Sequence, residues 1–372
     1  MTLRAALRQR FGGRATAPPI GIDFGAERLN LVQVAADRAG GVLHAVRAAA
    51  SVPYPMPRDE LFAAPRALHK FVQAALAGAP FAGRRAYCAL APADVRILPM
   101  SVVLAAGQSE AQAVARAARE QLGMAIDEAV VDYYQVRSVD GESAERQVLV
   151  AVAQQPQVLA YLELLRSAGL DPVALDIGPA AIGRLLAAMA RDDLNQSVLL
   201  INFGLHKSFL TVIWGRRLML DREIDFGEVQ LANKLASSLA LAPDIARGLM
   251  REHGIGARSA GRPAAATAQP DIGRTIREIL HPEFRVLAEE LLRTQVYVAS
   301  RTRGSTLSRV YLNGSLARYP NIQQRLSELV SLPVEVLDPF DAFAPMAVAL
   351  DSDVGKNIAL AAGLALRGEQ RG

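Results

Sequence analysis

Ile20-Gly21-Ile22-Asp23-Phe24-Gly25 is an apolar run that ends on a carboxylate and a glycine. Leu200-Ile201-Asn202-Phe203-Gly204 repeats the pattern about half a chain later. Alternation over Leu29–Val34, a turn signal at Asp37–Gly41 and a β-prone run around Val42–Ala50 complete an antiparallel meander after the first run. Ser197–Phe203, Ser208–Trp214, the turn Gly215-Arg216-Arg217 and Leu218–Ile224 make a second meander of the same plan. The offset that pairs Asp23 with Asn202 also pairs Gly25 with Gly204 and Leu31 with Leu210. Two like meanders so far apart predict an α/β chain of two lobes related by duplication.

Between and after the meanders the pattern alternates strands with helices. Helical periodicity covers 64–77, 157–168, 179–191, 229–240, 243–252 and 284–301, the last with Leu287, Leu291, Thr294 and Val298 on one stripe. Residues 84–155 read as a smaller α/β unit, with strands at Arg85–Leu90, Val95–Val103, 129–136 and 147–153 and a helix over 109–122 capped by Ser109. Further strands fall at 173–176, 309–312 and 334–337, and helices begin near Tyr319 and Ile358. The predicted division is a basic tail (1–17), a first lobe (18–84 and 156–195) interrupted by an inserted subdomain (85–155), a second lobe (196–350) with a mobile loop at 256–270, and a C-terminal helix and tail (351–372).

A chain of 372 residues with 51% hydrophobic residues can bury more than one core, and 5% aromatics makes those cores aliphatic. The 41 basic and 37 acidic residues nearly balance, which does not point to nucleic acid as a partner. The lone Cys88 excludes an internal disulfide and implies a reducing compartment. The sequence contains no uncharged apolar run of about 18 residues, the length a bilayer crossing needs, so a cytoplasmic location is expected. The first residues read either as an Arg-rich frayed tail or as a basic amphipathic helix built on Leu3, Leu7 and Phe11. His44, His69, His206, His253 and His281 show no metal-ligand spacing. Neither a G-x-S-x-G elbow nor a G-x-x-x-x-G-K-[ST] loop is present.

A strand–Asp-x-Gly–strand turn has a defined chemistry. Glycine lets the backbone approach a phosphate, and a carboxylate at the strand end can hold magnesium through water. Backbone N–H groups at a strand–helix turn such as Asn313-Gly314-Ser315 can bind an anion. Two facing turns would clamp a nucleotide.

With these elements in this order, the chain resembles the type IV pilus assembly protein PilM family, an FtsA-like branch of the actin fold, over nearly all of residues 18–368. Gly21–Gly25 resembles the first phosphate loop, Asn202-Phe203-Gly204 the second, Phe226-Gly227-Glu228 the glycine segment before a helix, and Leu312–Ser315 the adenosine turn. Asp338-Pro339-Phe340 and Ala361–Arg367 are similar to the family's last turn and helix. The resemblance implies an actin-like (ribonuclease H-like) pair of duplicated lobes with an inserted FtsA/PilM-type subdomain at 84–155. It implies ATP and magnesium as ligands, with Asp23, Gly25, Arg28, Asn202, Gly204, Lys207, Gly227, Glu228, Asn313, Gly314 and Ser315 as the nucleotide-binding set and Asp23 holding the metal through water. It also implies a cytoplasmic adaptor held at the inner membrane by the N-terminal tail of a PilN-like protein, docked between the first lobe and the insert. Other pilus assembly proteins and self-association complete the implied partners.

Departures from the family pattern open a second reading of the turns. The first loop lacks the family's hydroxyl and lysine, and Glu27 stands where phosphate would lie. An unscreened carboxylate–phosphate pair costs roughly 4 kcal/mol at ~4 Å and a dielectric near 20. Asn202 replaces an aspartate, and Leu205-His206 replaces a hydroxyl-bearing pair. The turns are then either a nucleotide clamp or tight turns kept for the fold, and hydrolysis is disfavoured. The competing functions are an active actin-like ATPase, an FtsA-like filament former, and a pseudo-enzyme of a related pilus or type II secretion system.

Overall fold

The computed structural model describes residues 17–35, 45–105, 107–122, 128–136, 145–190, 196–215, 217–255, 272–302, 304, 306–344, 352–355 and 357–369. The basic tail, the 256–270 loop and the start of the expected third strand lie outside them. The strands are β1 (Ile20–Phe24), β2 (Arg28–Val34), β3 (Val46–Pro53), β4 (Arg85–Leu90), β5 (Val95–Val103), β6 (Ala129–Gln135), β7 (Glu145–Gln154), β8 (Asp171–Ile177), β9 (Ser197–Phe203), β10 (Ser208–Trp214), β11 (Arg217–Ile224), β12 (Leu307–Gly314) and β13 (Val334–Val336). They form two five-stranded sheets, β3-β2-β1-β4-β8 and β11-β10-β9-β12-β13, and a three-stranded sheet β5-β7-β6. In each large sheet the meander strands pair antiparallel and the next two join in parallel. The duplication weakly visible in sequence is therefore repeated in strand order and direction.

The chain divides into two compact units, Met1–Ala91 with Pro156–Leu185 and Pro339–Gly372, and Pro92–Gln155 with Leu186–Asp338. Arg85–Leu90, grouped with the insert in the sequence reading, is hydrogen-bonded between β1 and β8 in the first large sheet. Periodicity reveals a strand but not its parallel partners, which lie tens of residues away. The small sheet begins at Val95 and packs Met100, Val102, Val148 and Val150 against Ala113, Val114 and Ala118 of the helix Glu110–Leu122. That helix opens on a reciprocal capping box: the Gln112 N–H donates to Ser109 Oγ, and the Ser109 N–H donates to Gln112 Oε1.

In the first unit, alternation along β1 sends Ile20, Ile22 and Phe24 into a core with Leu68 and Val72 of the helix Pro65–Ala77. Gly21 points the other way, where a Cβ would stand 2.0 Å from Ala361 O in the helix Ala359–Ala365. Gly363 of that helix meets Ala181 O of the helix Gly178–Met189 just as closely, at 2.1 Å. The C-terminal helix thus packs backbone to backbone on this sheet.

In the second unit, Ile201, Phe203, Leu210 and Val212 share a core with the helices Glu228–Leu239 and Ile272–Arg301. The long helix starts before Pro282, which the sequence reading placed outside it. A proline forfeits one helical hydrogen bond. Ile276, Leu280 and Phe284 bury on the same face as Leu287 and Leu291, and that packing carries the helix through the break. Among the described residues no helix is long and apolar enough to cross a membrane.

Candidate functional site: two strand–glycine–strand turns

The first turn joins β1 to β2. The register sets Asp23 opposite Asn30, and Asn30 opposite Ser51 on β3. Their side chains form one directed chain across the sheet. Arg28 Nε donates to Ser51 Oγ (2.8 Å), Ser51 Oγ to Asn30 Oδ1 (2.7 Å), and Asn30 Nδ2 to Asp23 Oδ2 (3.0 Å). Arg28 also donates to Ser51 O at 2.7 Å. The guanidinium is thus spent on β3. Tyr54 clasps the loop itself, its N–H donating to Glu27 O and its hydroxyl to Gly25 O.

Burial dominates the electrostatics of Asp23 and pushes its carboxyl up to about 6, against the Asn30 bond and the Arg58 charge. The sign of the linkage follows. The folded state holds this proton more tightly than the unfolded chain does, so Asp23 adds stability below its ordinary value. That stability is lost as pH rises through about 4 to 6. Asp23→Asn is therefore expected to stabilise the fold by about 2–3 kcal/mol above pH 7, with the gain gone near pH 4. Urea denaturation of both proteins at the two pH values checks this; an equal difference at both would show that the carboxyl does not titrate as described. Asp221, half-buried and accepting from Thr211, is likewise pushed up to about 6 by loss of water around its carboxyl.

The second turn joins β9 to β10, and three segments converge on it. The Glu228 and Val229 N–H groups, at the start of a helix, donate to Gly204 O and Leu205 O. The Ser315 N–H donates to Phe203 O, and its hydroxyl to Gly204 O. Asn313 Nδ2 donates to Asn202 Oδ1 at 3.0 Å. The glycines are demanded by these approaches. A Cβ on Gly204 would stand 2.2 Å from Lys207 O, and one on Gly227 2.5 Å from the His206 carbonyl. Gly314, at φ +88°, would meet Phe203 O at 2.0 Å. Lys207 turns outward to Glu223 and to Asp225 (3.8 Å), which raise its pKa.

The structure thus gathers Asn202, Gly204, Gly227, Glu228, Asn313, Gly314 and Ser315 in the second unit. It places Asp23, Gly25 and Arg28 at the equivalent turn of the first. Sequence reading missed the groups that hold the turns. Glu228 is buried, accepts from Tyr319 Oη at 2.7 Å, and faces Arg247 (3.5 Å) and Arg251 (3.8 Å). The signal available was Arg247 and Arg251 one turn apart on a single helix. For Tyr54 and Ser51 no local signal existed.

ATP and magnesium fit this set poorly. Neither loop offers a side-chain hydroxyl. Arg28, Lys207 and the two helix-start N–H groups are already bonded within the protein. The two strand-end groups are Asp23, whose carboxyl burial pushes up to about 6, and an amide bonded to Asn313. No group of three or more His, Cys, Asp or Glu side chains that could hold a metal occurs among the described residues.

Two five-stranded sheets of one order, each opening on a strand–glycine–strand turn, define the actin-like fold. The sequence model of the type IV pilus assembly protein PilM family matches residues 21–369, and the chain belongs to that family. A solved structure described as the PilM-PilN type IV pilus biogenesis complex is 25% identical with a TM-score of 0.72, covering 94% of this chain and 98% of that one. The ethanolamine utilization protein EutJ from Carboxydothermus hydrogenoformans is 15% identical (TM-score 0.48, covering 98% and 99%). MreB 5 of Spiroplasma citri bound to AMPPNP is 13% identical (TM-score 0.45, covering 88% and 93%). No curated protein matches the chain.

Proposed function

We propose that this chain is a scaffold of type IV pilus assembly that holds the N-terminal cytoplasmic tail of a PilN-like inner-membrane protein. Its likeness to the protein of the PilM-PilN complex, over 94% of its length, carries the reading. The protein then works in the cytoplasm and is peripheral to the inner membrane through that partner. The geometry of the turns favours a scaffold over an ATPase, because Arg28 and Lys207, the cations next to the two turns, are bonded to neighbouring strands and neither loop carries a hydroxyl. Within the second unit, β6 is an edge strand carrying the exposed Val130, and an edge of this kind accepts an extended peptide by backbone pairing. The test is a pull-down of the full chain on the immobilised tail of the PilN-like protein. Retention by the tail and none by a scrambled tail is expected; equal retention by both would refute tail recognition.

A further inference from the structure

The helix Ile272–Arg301 buries one face in the core of the second unit, through Ile276, Leu280, Phe284, Leu287, Leu291 and Val298. A surface helix is ordinarily polar on its other side. Here Val286, Leu292 and Val296 stand 51%, 60% and 62% exposed. Pro282, Val286, Glu289, Arg293, Val296 and Ser300 are all exposed and follow one another at alternating steps of four and three residues. That is the seam spacing by which one helix packs along another. The seam is also complementary to itself. Laid antiparallel on a second copy, with a two-fold axis level with Leu291, Val286 of one copy meets Val296 of the other and Glu289 meets Arg293. The symmetry makes each pair occur twice, as a closed two-fold contact requires. Leu292 lies one step off the seam beside the axis, so its two copies meet on one flank and shield the charge pairs from water. Arg293 is 66% exposed and leans only on Glu290 of its own helix, and Glu289 carries no ion pair among the described residues.

We propose that this face pairs the chain with a second copy of itself, helix antiparallel to helix. The proposal does not rest on the scaffold reading. One helix pair is at the small end of specific interfaces, so the dimer is a weak one. Sedimentation velocity of the full chain from about 1 μM to about 200 μM is expected to show monomer turning into dimer. Glu289→Arg sets cation against cation across the axis and should weaken the dimer at least about tenfold, and Arg293→Glu should do the same with anions. Mixing these two variants restores two opposite-charge contacts and should give a heterodimer. The double variant, with both changes in one chain, should self-associate again. Both positions are on the surface, so the circular dichroism of every variant should match that of the parent chain. A parent chain that stays monomeric at the highest concentration would overturn the proposal. So would a dimer that survives Glu289→Arg, or single variants whose mixture stays monomeric.

Discussion

Replacing Gly314 with alanine is expected to cost about 2–5 kcal/mol of stability. Two effects add. The residue sits at φ +88°, in the left-handed region that costs an L side chain about 1–2 kcal/mol. Its Cβ would stand 2.0, 2.8 and 2.9 Å from the O, C and N of Phe203. Those atoms belong to β9, the middle strand of the second large sheet, so the obstacle is backbone fixed by neighbours on both sides. Overpacking of this sort typically costs about 1–3 kcal/mol more. Gly107 is the control. It has φ +77° but nothing within 4 Å of its Cβ, so Gly107→Ala should cost only about 1 kcal/mol. Urea midpoints of the two variants measure the difference, and equal midpoints would show that close backbone approach is not what Gly314 serves.

Asp176→Ala should be similarly damaging, by about 3–5 kcal/mol. The side chain is 0% exposed and pairs with Arg184, itself only 9% exposed, and with Arg367 at 2.7 Å. Its Oδ1 also accepts the Ile177 N–H at 2.8 Å. Removing the carboxylate leaves the Arg184 guanidinium in the interior with, among the described residues, only Gly363 O at 3.2 Å as a further acceptor. The loss would reach the C-terminal helix, because Gly363 and Arg367 both lie in it or directly after it. Asp244→Ala, which removes a 90% exposed partner of Arg247, should stay below about 1 kcal/mol. Denaturation curves for both variants check the contrast; a mild Asp176→Ala would mean that water reaches Arg184.

Much of the fold was legible because it is written in short-range pattern. β4, β5, β9 and β10 fall at the predicted residues, since apolar runs and turn residues bound them, with Gly204 and Gly215 on either side of β10. The place of β4 was not legible, because parallel pairing is decided by partners far along the chain. The start of the long helix was hidden by Pro282, whose local cost is outweighed by burial of Ile276, Leu280 and Phe284.

The candidate site divides the same way. Its glycines stand out in sequence, but the reason for them does not: Gly314 is required by Phe203 O, and Gly21 by Ala361 O. The contacts of the cations were not legible, for a physical reason. Arg28 and Lys207 are long enough to choose among acceptors, and they chose Ser51 and Glu223 on neighbouring strands, which no local spacing announces.

If this PilM-family chain is a scaffold for a membrane partner's tail, it must hold that tail in the absence of other components. Fluorescence anisotropy of a labelled peptide of that N-terminal cytoplasmic tail, titrated with the full folded chain, tests it most directly. A saturable one-to-one rise that an unlabelled tail competes away is expected. A flat titration with folded protein would contradict the scaffold reading.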